Sequence, residues 1–242
     1  MITLHASAVL HVRDGYTGSP LEGSGLLCTL DGAPIRPLAK AGGHLVLLDL
    51  PHGPHRLALR STGYQEEWVD FQAGTGTLEL EVTMKPGAGY PLLGDITRLE
   101  LTVLDQGQPA QGLLLWLAVP AGFDLKIAQT RAEAGADRFR LYCKGPQAAV
   151  PAGAYLIADG EESEIVLLRG LEDEEGALAA PLLHAHRRSR PLLPAQRYHT
   201  DAQGRLTAVL PGACTLEVYH PDRGLLASLT LEQGENRQTI QL

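Results

Sequence analysis

Residues 11–23 read His11-Val-Arg-Asp-Gly-Tyr-Thr-Gly-Ser-Pro-Leu-Glu-Gly23, and three later stretches follow the same pattern: Leu45-Val-Leu-Leu-Asp-Leu-Pro-His-Gly53, His55-Arg-Leu-Ala-Leu-Arg-Ser-Thr-Gly-Tyr64 and Leu78-Glu-Leu-Glu-Val-Thr-Met-Lys-Pro86. Each is a short alternating run bounded by Gly, Pro or Asp. Period-two alternation sends every second side chain to one face, and the bounding residues stop the run after a strand's length. This predicts an antiparallel β-sandwich with strands near 5–13, 24–30, 44–49, 55–60, 66–71 and 77–84. Leu57, Leu59, Leu78, Leu80 and Val82 are its expected inward row. Asp14-Gly15 and Asp31-Gly32 are expected to supply positive φ for tight turns, and Pro51 to Pro54 a stiff bend.

Downstream, Lys85-Pro-Gly-Ala-Gly-Tyr-Pro-Leu-Leu-Gly94 interrupts the strands with prolines and glycines, which marks a linker over 88–96. The pattern then restarts. Thr97-Arg-Leu-Glu-Leu-Thr-Val-Leu-Asp-Gln-Gly-Gln-Pro-Ala-Gln-Gly112 echoes residues 8–23, while Asp201 to Gly212 and Cys214 to His220 echo residues 40–60. The expected organisation is a sandwich over 1–87 and a second over 97–242, the latter enlarged by a small inserted β-subdomain at about 121–200. Phe123 to Glu133 reads as a helical turn within it. The fold class is all-β, two immunoglobulin-like or transthyretin-like antiparallel sandwiches.

The opening Asp14-x-x-Thr17-Gly18-x-Pro20-Leu21-x-Gly23, the turn Leu50-Pro51-His52-Gly53 and the strand end Gly63-Tyr64 together resemble carboxypeptidase-regulatory-like and transthyretin-like domains. The resemblance covers residues 8–86, with a weaker echo in 97–242, and implies modules that hold, space or bind. It also implies that the Tyr64 ring covers one end of the core. Transthyretin-like hydrolases end in Tyr-Arg-Gly-Ser; this chain ends Gln238-Thr-Ile-Gln-Leu242, so that activity is not expected. Ala152 to Asp159, Glu162 to Arg169, Gly176 to His186 and Pro191 to Arg197 resemble the small β-modules of phage tails and contractile-injection baseplates.

Composition narrows the classes. A formal net charge of −8, with only four lysines and one short basic run, His186-Arg-Arg-Ser-Arg190, argues against a nucleic-acid partner. Three widely spaced cysteines, Cys28, Cys143 and Cys214, make no disulfide framework and suit a reducing compartment. No apolar run reaches the roughly 20 residues of a membrane span, and Met1 to His5 does not read as a secretion signal. The expected location is the cytoplasm or an assembled particle.

Candidate sites are few. His184-Ala-His186 places two imidazoles on one face of a strand, a spacing compatible with a metal, with His199 or Glu162 as a third ligand. The competing reading is a pair of surface or edge histidines, and it is the one adopted. His52 and His55 flank a turn in the same way. Asp159-Gly-Glu-Glu-Ser-Glu164 and Glu172-Asp-Glu-Glu175 offer carboxylates for Ca²⁺ but lack the spacing of an organised loop, so solvated turns are expected. Trp68, Trp116, Tyr64, Tyr142 and Tyr219 would make a sugar platform if exposed together; the alternation around them favours core packing. No nucleophile elbow, phosphate loop or dinucleotide fingerprint is present.

The expected function is a non-catalytic structural or assembly module, as in a phage-tail-like or contractile-injection particle. The alternatives are a surface adhesion or carbohydrate-binding module, or an enzyme with a composite site on the insertion. Expected partners are other protein subunits, self-association included, without nucleic acid, membrane insertion or cofactors. The expectation names no catalytic residue and no metal site, leaving His184 and His186 as the metal candidates.

Overall fold

The computed structural model describes residues 5–22, 25–87, 89–91, 96–120, 123–145 and 150–242. The chain divides into two compact units, Met1–Gly94 and Asp95–Leu242. Of the expected linker, residues 88 and 92–95 lie outside the described residues, as do 1–4 at the start of the chain.

The described residues of unit 1 form eight strands: β1 (Ala6–Asp14), β2 (Leu27–Leu30), β3 (Ala33–Ile35), β4 (Leu38–Lys40), β5 (His44–Leu48), β6 (Gly53–Arg60), β7 (Glu67–Ala73) and β8 (Leu78–Met84). They form two sheets, β4-β5-β1-β8 and β3-β2-β6-β7. Six coincide with strands expected from the alternation. The two missed, β3 and β4, have three residues each, too few for a period to register. In β1, Ala8, Leu10 and Val12 face inward and are fully buried. They meet Leu57 and Leu59 of β6, Leu45 and Leu47 of β5 and Val82 of β8 in one core, with Tyr64 packed against it. Each fully buried Leu contributes about 1.5–3 kcal/mol relative to an exposed one. Leu78 and Leu80 are only partly buried. Asp31 and Gly32 adopt the expected positive φ, 50° and 81°. In the first turn the left-handed residue is Gly18 (φ 73°) rather than Asp14 or Gly15, because Asp14 uses its side chain to accept from Tyr16 N and Thr17 N instead.

Unit 2 runs β9 (Ile96–Asp105), β10 (Gln108–Pro109), β11 (Leu114–Ala118), β12 (Asp124–Ile127), β13 (Arg131–Ala132), β14 (Arg138–Lys144), β15 (Gly153–Ile157), β16 (Glu164–Glu172), β17 (Glu175–Leu178), β18 (His186–Arg187), β19 (Leu192–His199), β20 (Arg205–Pro211), β21 (Cys214–His220), β22 (Gly224–Leu231) and β23 (Gly234–Gln241). Among the described residues the helical content is one 3-10 turn, Gly160–Glu162. The segment from Phe123 to Glu133 forms β12 and β13, not a helical turn. Its alternating Asp124-Leu-Lys-Ile127 buries Leu125 and Ile127 against β14.

The two units repeat one pattern of pairing. β1 pairs antiparallel with β5 and parallel with β8; β9 pairs antiparallel with β20 and parallel with β23. β6 joins β2 and β7; β21 joins β11 and β22. A shared detail underlies the repeat. Val12 N donates to the Gly43 carbonyl (2.8 Å) and Leu21 N to the Val12 carbonyl (2.8 Å). In unit 2, Val103 N donates to Gly204 (2.8 Å) and Ala110 N to Val103 (3.0 Å).

The largest difference between the units lies at one hairpin. β2 and β3 are joined by the Asp31-Gly32 turn, whereas the corresponding arms β11 and β19 are separated by residues 119–191. Those residues continue the sheet in the order β12-β14-β17-β16-β15-β19-β11-β21-β22. Lys126 bridges to Pro191 and Ile127 N donates to the Arg190 carbonyl at 3.0 Å, so β12 returns to the start of β19. Six strands thereby close into a small barrel around Leu125, Phe139, Leu141, Tyr155, Val166 and Leu168. The sandwich half of the unit keeps its own core, including Leu99, Leu101, Leu115, Leu117, Leu216 and Val218.

Candidate functional site

Two inward rows of the barrel end on carboxylates. Tyr155 and Ile157 of β15 are followed at the same parity by Asp159, and Leu168 and Val166 of β16 lead to Glu164, which sits opposite Ile157 in register. His186, fully buried, lies between them. Its Nδ1 is 3.1 Å from Asp159 Oδ2 and its Nε2 is 2.9 Å from Glu164 Oε1. Both neighbours are carboxylates, so the protonated ring can donate from both nitrogens at once. Arg190 Nε closes the cluster on Asp159 Oδ1 at 2.6 Å. Glu164 also accepts from Leu183 N (2.9 Å) and His184 N (2.8 Å). Ser163 Oγ accepts from Asp159 N and donates to the Gly160 carbonyl. Burial alone would push the His186 pKa down, but hydrogen bonds to Glu164 and Asp159 outweigh it and hold it above the ordinary value. Burial opposes ionisation of Glu164, and the His186 bond with two backbone donors nevertheless keeps its pKa low.

Unit 1 has a counterpart built on Asp14. Its Oδ2 accepts from Tyr64 OH (2.7 Å) and Tyr90 OH (2.5 Å), its Oδ1 from Tyr16 N (2.7 Å) and Thr17 N (3.0 Å). The two rings meet edge to face at 5.2 Å. Four donors overcome the burial penalty and lower the Asp14 pKa; burial and the carboxylate push Tyr64 up to about 12 and raise Tyr90 further. Nearby, Lys85 and Glu67 form a largely buried ion pair.

The sequence candidates fall as follows. His184 is exposed and His186 is buried, so the two do not present one face. Glu162 and His199 are exposed and do not join His186; its partners are Glu164 and Asp159. The acidic string is therefore not a solvated turn at its ends. Asp159 and Glu164 point inward because they continue apolar rows, while Glu161 and Glu162 between them face solvent. That parity, two inward rows ending on acids next to a histidine, is the signal the sequence carried. Among the described residues no three His, Cys, Asp or Glu side chains converge as a metal set.

His52 and His55 do not pair. His55 spans Asp31 Oδ2 (2.7 Å) and the Pro51 carbonyl (2.8 Å), a brace between the β2–β3 turn and the segment that leads into β6. The aromatic residues divide. Tyr219 is buried as expected, but Trp68 is 47% and Tyr142 52% exposed, because each sits on the outer parity of its strand. They belong to different units and make no common platform within either. The three cysteines are free thiols, and burial pushes all three up in pKa.

The class these features define is a tandem β-sandwich protein whose buried charges join its own segments. No protein-family model matches the chain, and no curated protein matches it. Among solved structures, it is similar to the Bacillus anthracis TIE protein over 98% of its length at 13% identity and a TM-score of 0.27, spanning 49% of that chain. It is similar to the major pilin subunit BcpA of Bacillus cereus over 99% of both chains at 10% identity and a TM-score of 0.29. The shaft pilin SpaA of Lactobacillus rhamnosus GG matches over 98% of this chain and 96% of its own at 9% identity and a TM-score of 0.26.

Proposed function

We propose that the chain is a non-catalytic structural or adhesion-type module that spaces and carries tension between protein partners. The carrying observation is the parallel pairing of the first and last strands in each unit. β1 and β8 pair from Ala8↔Leu78 to Asp14↔Met84, and β9 and β23 from Thr97↔Gly234 to Leu104↔Gln241. Parallel terminal strands put the incoming and outgoing chain at opposite ends of the ladder. Tension therefore shears all the rungs at once instead of opening them one by one. The ionisable clusters support the same reading, since His186, His55 and Asp14 each spend their polar atoms on bracing.

The organisation proposed is a sandwich over 1–87, a linker over 88–96 and a second sandwich over 97–242 with its insertion at about 121–200. The phage-tail or injection-particle reading gains nothing from the comparisons, and we favour a pilus-like or adhesive setting for the module. An adhesive surface is the second reading, favoured by the exposed Trp68 on the edge strand β7. Membrane insertion is not part of the proposal; among the described residues no helix is long and apolar enough to cross a membrane.

Single-molecule pulling of the full chain from its two ends tests the tension-bearing reading. Two separate rupture events are expected, lengthening the chain by about 240 Å and about 460 Å at roughly 3.4 Å per residue. Smooth low-force extension of both units would overturn it.

A further inference from the structure

We infer that β22 is a self-pairing edge through which two copies of this chain join their nine-stranded sheets, antiparallel and about a twofold axis. The inference rests on the structural-module reading and names the partner it implies.

Exposed edge strands are ordinarily blunted by charge or proline. In unit 1, β3 has Pro34, β4 has Lys40, β7 has Glu67 and Asp70, and β8 has Glu79 and Glu81. In unit 2, β10 has Pro109, β20 has Arg205 and β23 has Glu235 and Arg237. β22 reads Gly224-Leu-Leu-Ala-Ser-Leu-Thr-Leu231 and carries neither, and it ends the sheet with β21 as its ladder partner.

Charge selects the occupant. A strand pairing with its own copy about a central residue sets that residue opposite itself. For β7 this juxtaposes two copies of Asp70 and for β8 two copies of Glu81, which repel. β22 meets its copy with no charge on either strand. Its outward side chains, Ser228 and Thr230, are small and exposed; Ser228 Oγ already donates to Glu217 Oε1 at 3.0 Å. The bulge between Val218 and Tyr219 confines regular pairing with β21 to the stretch Ala227–Leu231, and the 3-10 turn packs against the strand. The pairing segment is accordingly the C-terminal part, about Leu226 to Leu231. A twofold contact of this kind is closed, giving a dimer and not a fibre.

Light scattering on the full chain over a dilution series tests this, beside a Thr230→Lys variant. The expected result is a wild type approaching twice 25.9 kDa at high concentration, and a variant that stays monomeric with unchanged circular dichroism and melting temperature. Hydrogen exchange on the wild type supplies a second readout that does not depend on the variant folding. The amides of 226–231 should gain protection with concentration. A monomeric wild type at every concentration overturns the inference, as does concentration-independent exchange in 226–231 or a folded variant that dimerises equally. None of these outcomes bears on the pulling experiment, which reads isolated molecules, so the two proposals fail separately.

Discussion

Gly43 and Gly204 hold the same place in the two units. Each precedes the strand that pairs antiparallel with the first, each has positive φ (76° and 69°), and each gives its carbonyl to a valine of that first strand. A Cβ on Gly43 would lie 2.4 Å from the Val12 carbonyl oxygen, and on Gly204 2.6 Å from that of Val103. Gly43→Ala and Gly204→Ala should each cost about 1–2 kcal/mol in backbone strain and about 1–3 more for the displaced strand. Gly212→Ala, at φ 60° with no atom within 4 Å, should cost the strain alone. Urea denaturation of the three variants checks the ordering.

His186→Ala leaves Asp159 and Glu164 buried at the end of the barrel without their shared cation. Removing one partner of a buried pair typically costs about 3–5 kcal/mol. The loss should appear as a melting temperature lower by roughly 6–20 °C for a domain of this size. His184→Ala, on an exposed ring, should change it by little. A calorimetric scan of both variants decides whether the cluster is a brace, and equal effects would contradict the geometry.

The same cluster sets a pH window. Glu164, with its folded pKa below the ordinary 4.5, adds stability that is complete above that value and disappears as pH falls through the lowered one. His186, raised above 6.5, adds stability that is complete below that value and disappears as pH rises through the raised one. Unit 2 should therefore draw most from the cluster between about pH 4.5 and 6.5, with losses on either side. Hydrogen exchange at Val166 and Leu168 followed against pH should show this profile in the wild type and lose its upper limb in His186→Ala.

Tyr64→Phe removes one of four donors to Asp14. Hydrogen bonds to charged groups contribute about 1.5–3 kcal/mol, and the variant should lose about that much in a denaturation curve. In an ultraviolet titration the wild type should show a tyrosine ionising near pH 12 that is absent from the variant.

Unit 1 was legible because its strands are exposed on one face, so alternation is written out in runs such as Leu78 to Met84. The repeat was legible for the same reason: Pro20-Leu21 and Pro109-Ala110 both mark the return of the chain to the first strand. The insertion was not. Its closure depends on Lys126 meeting Pro191, a contact between distant positions that no local pattern announces. His186 was visible as a candidate, but for the wrong partner. Side-chain parity in β15 and β16, not proximity along the chain, brings Asp159 and Glu164 to it.

The hairpin that differs between the units marks a grafting point. At Asp31-Gly32, unit 1 turns in two residues where unit 2 accommodates an entire barrel and keeps the strand pairing on either side. A foreign domain with adjacent termini, spliced between Leu30 and Ala33, would be displayed from the molecule without disturbing the β1–β8 ladder, turning a spacer into a carrier for chosen cargo.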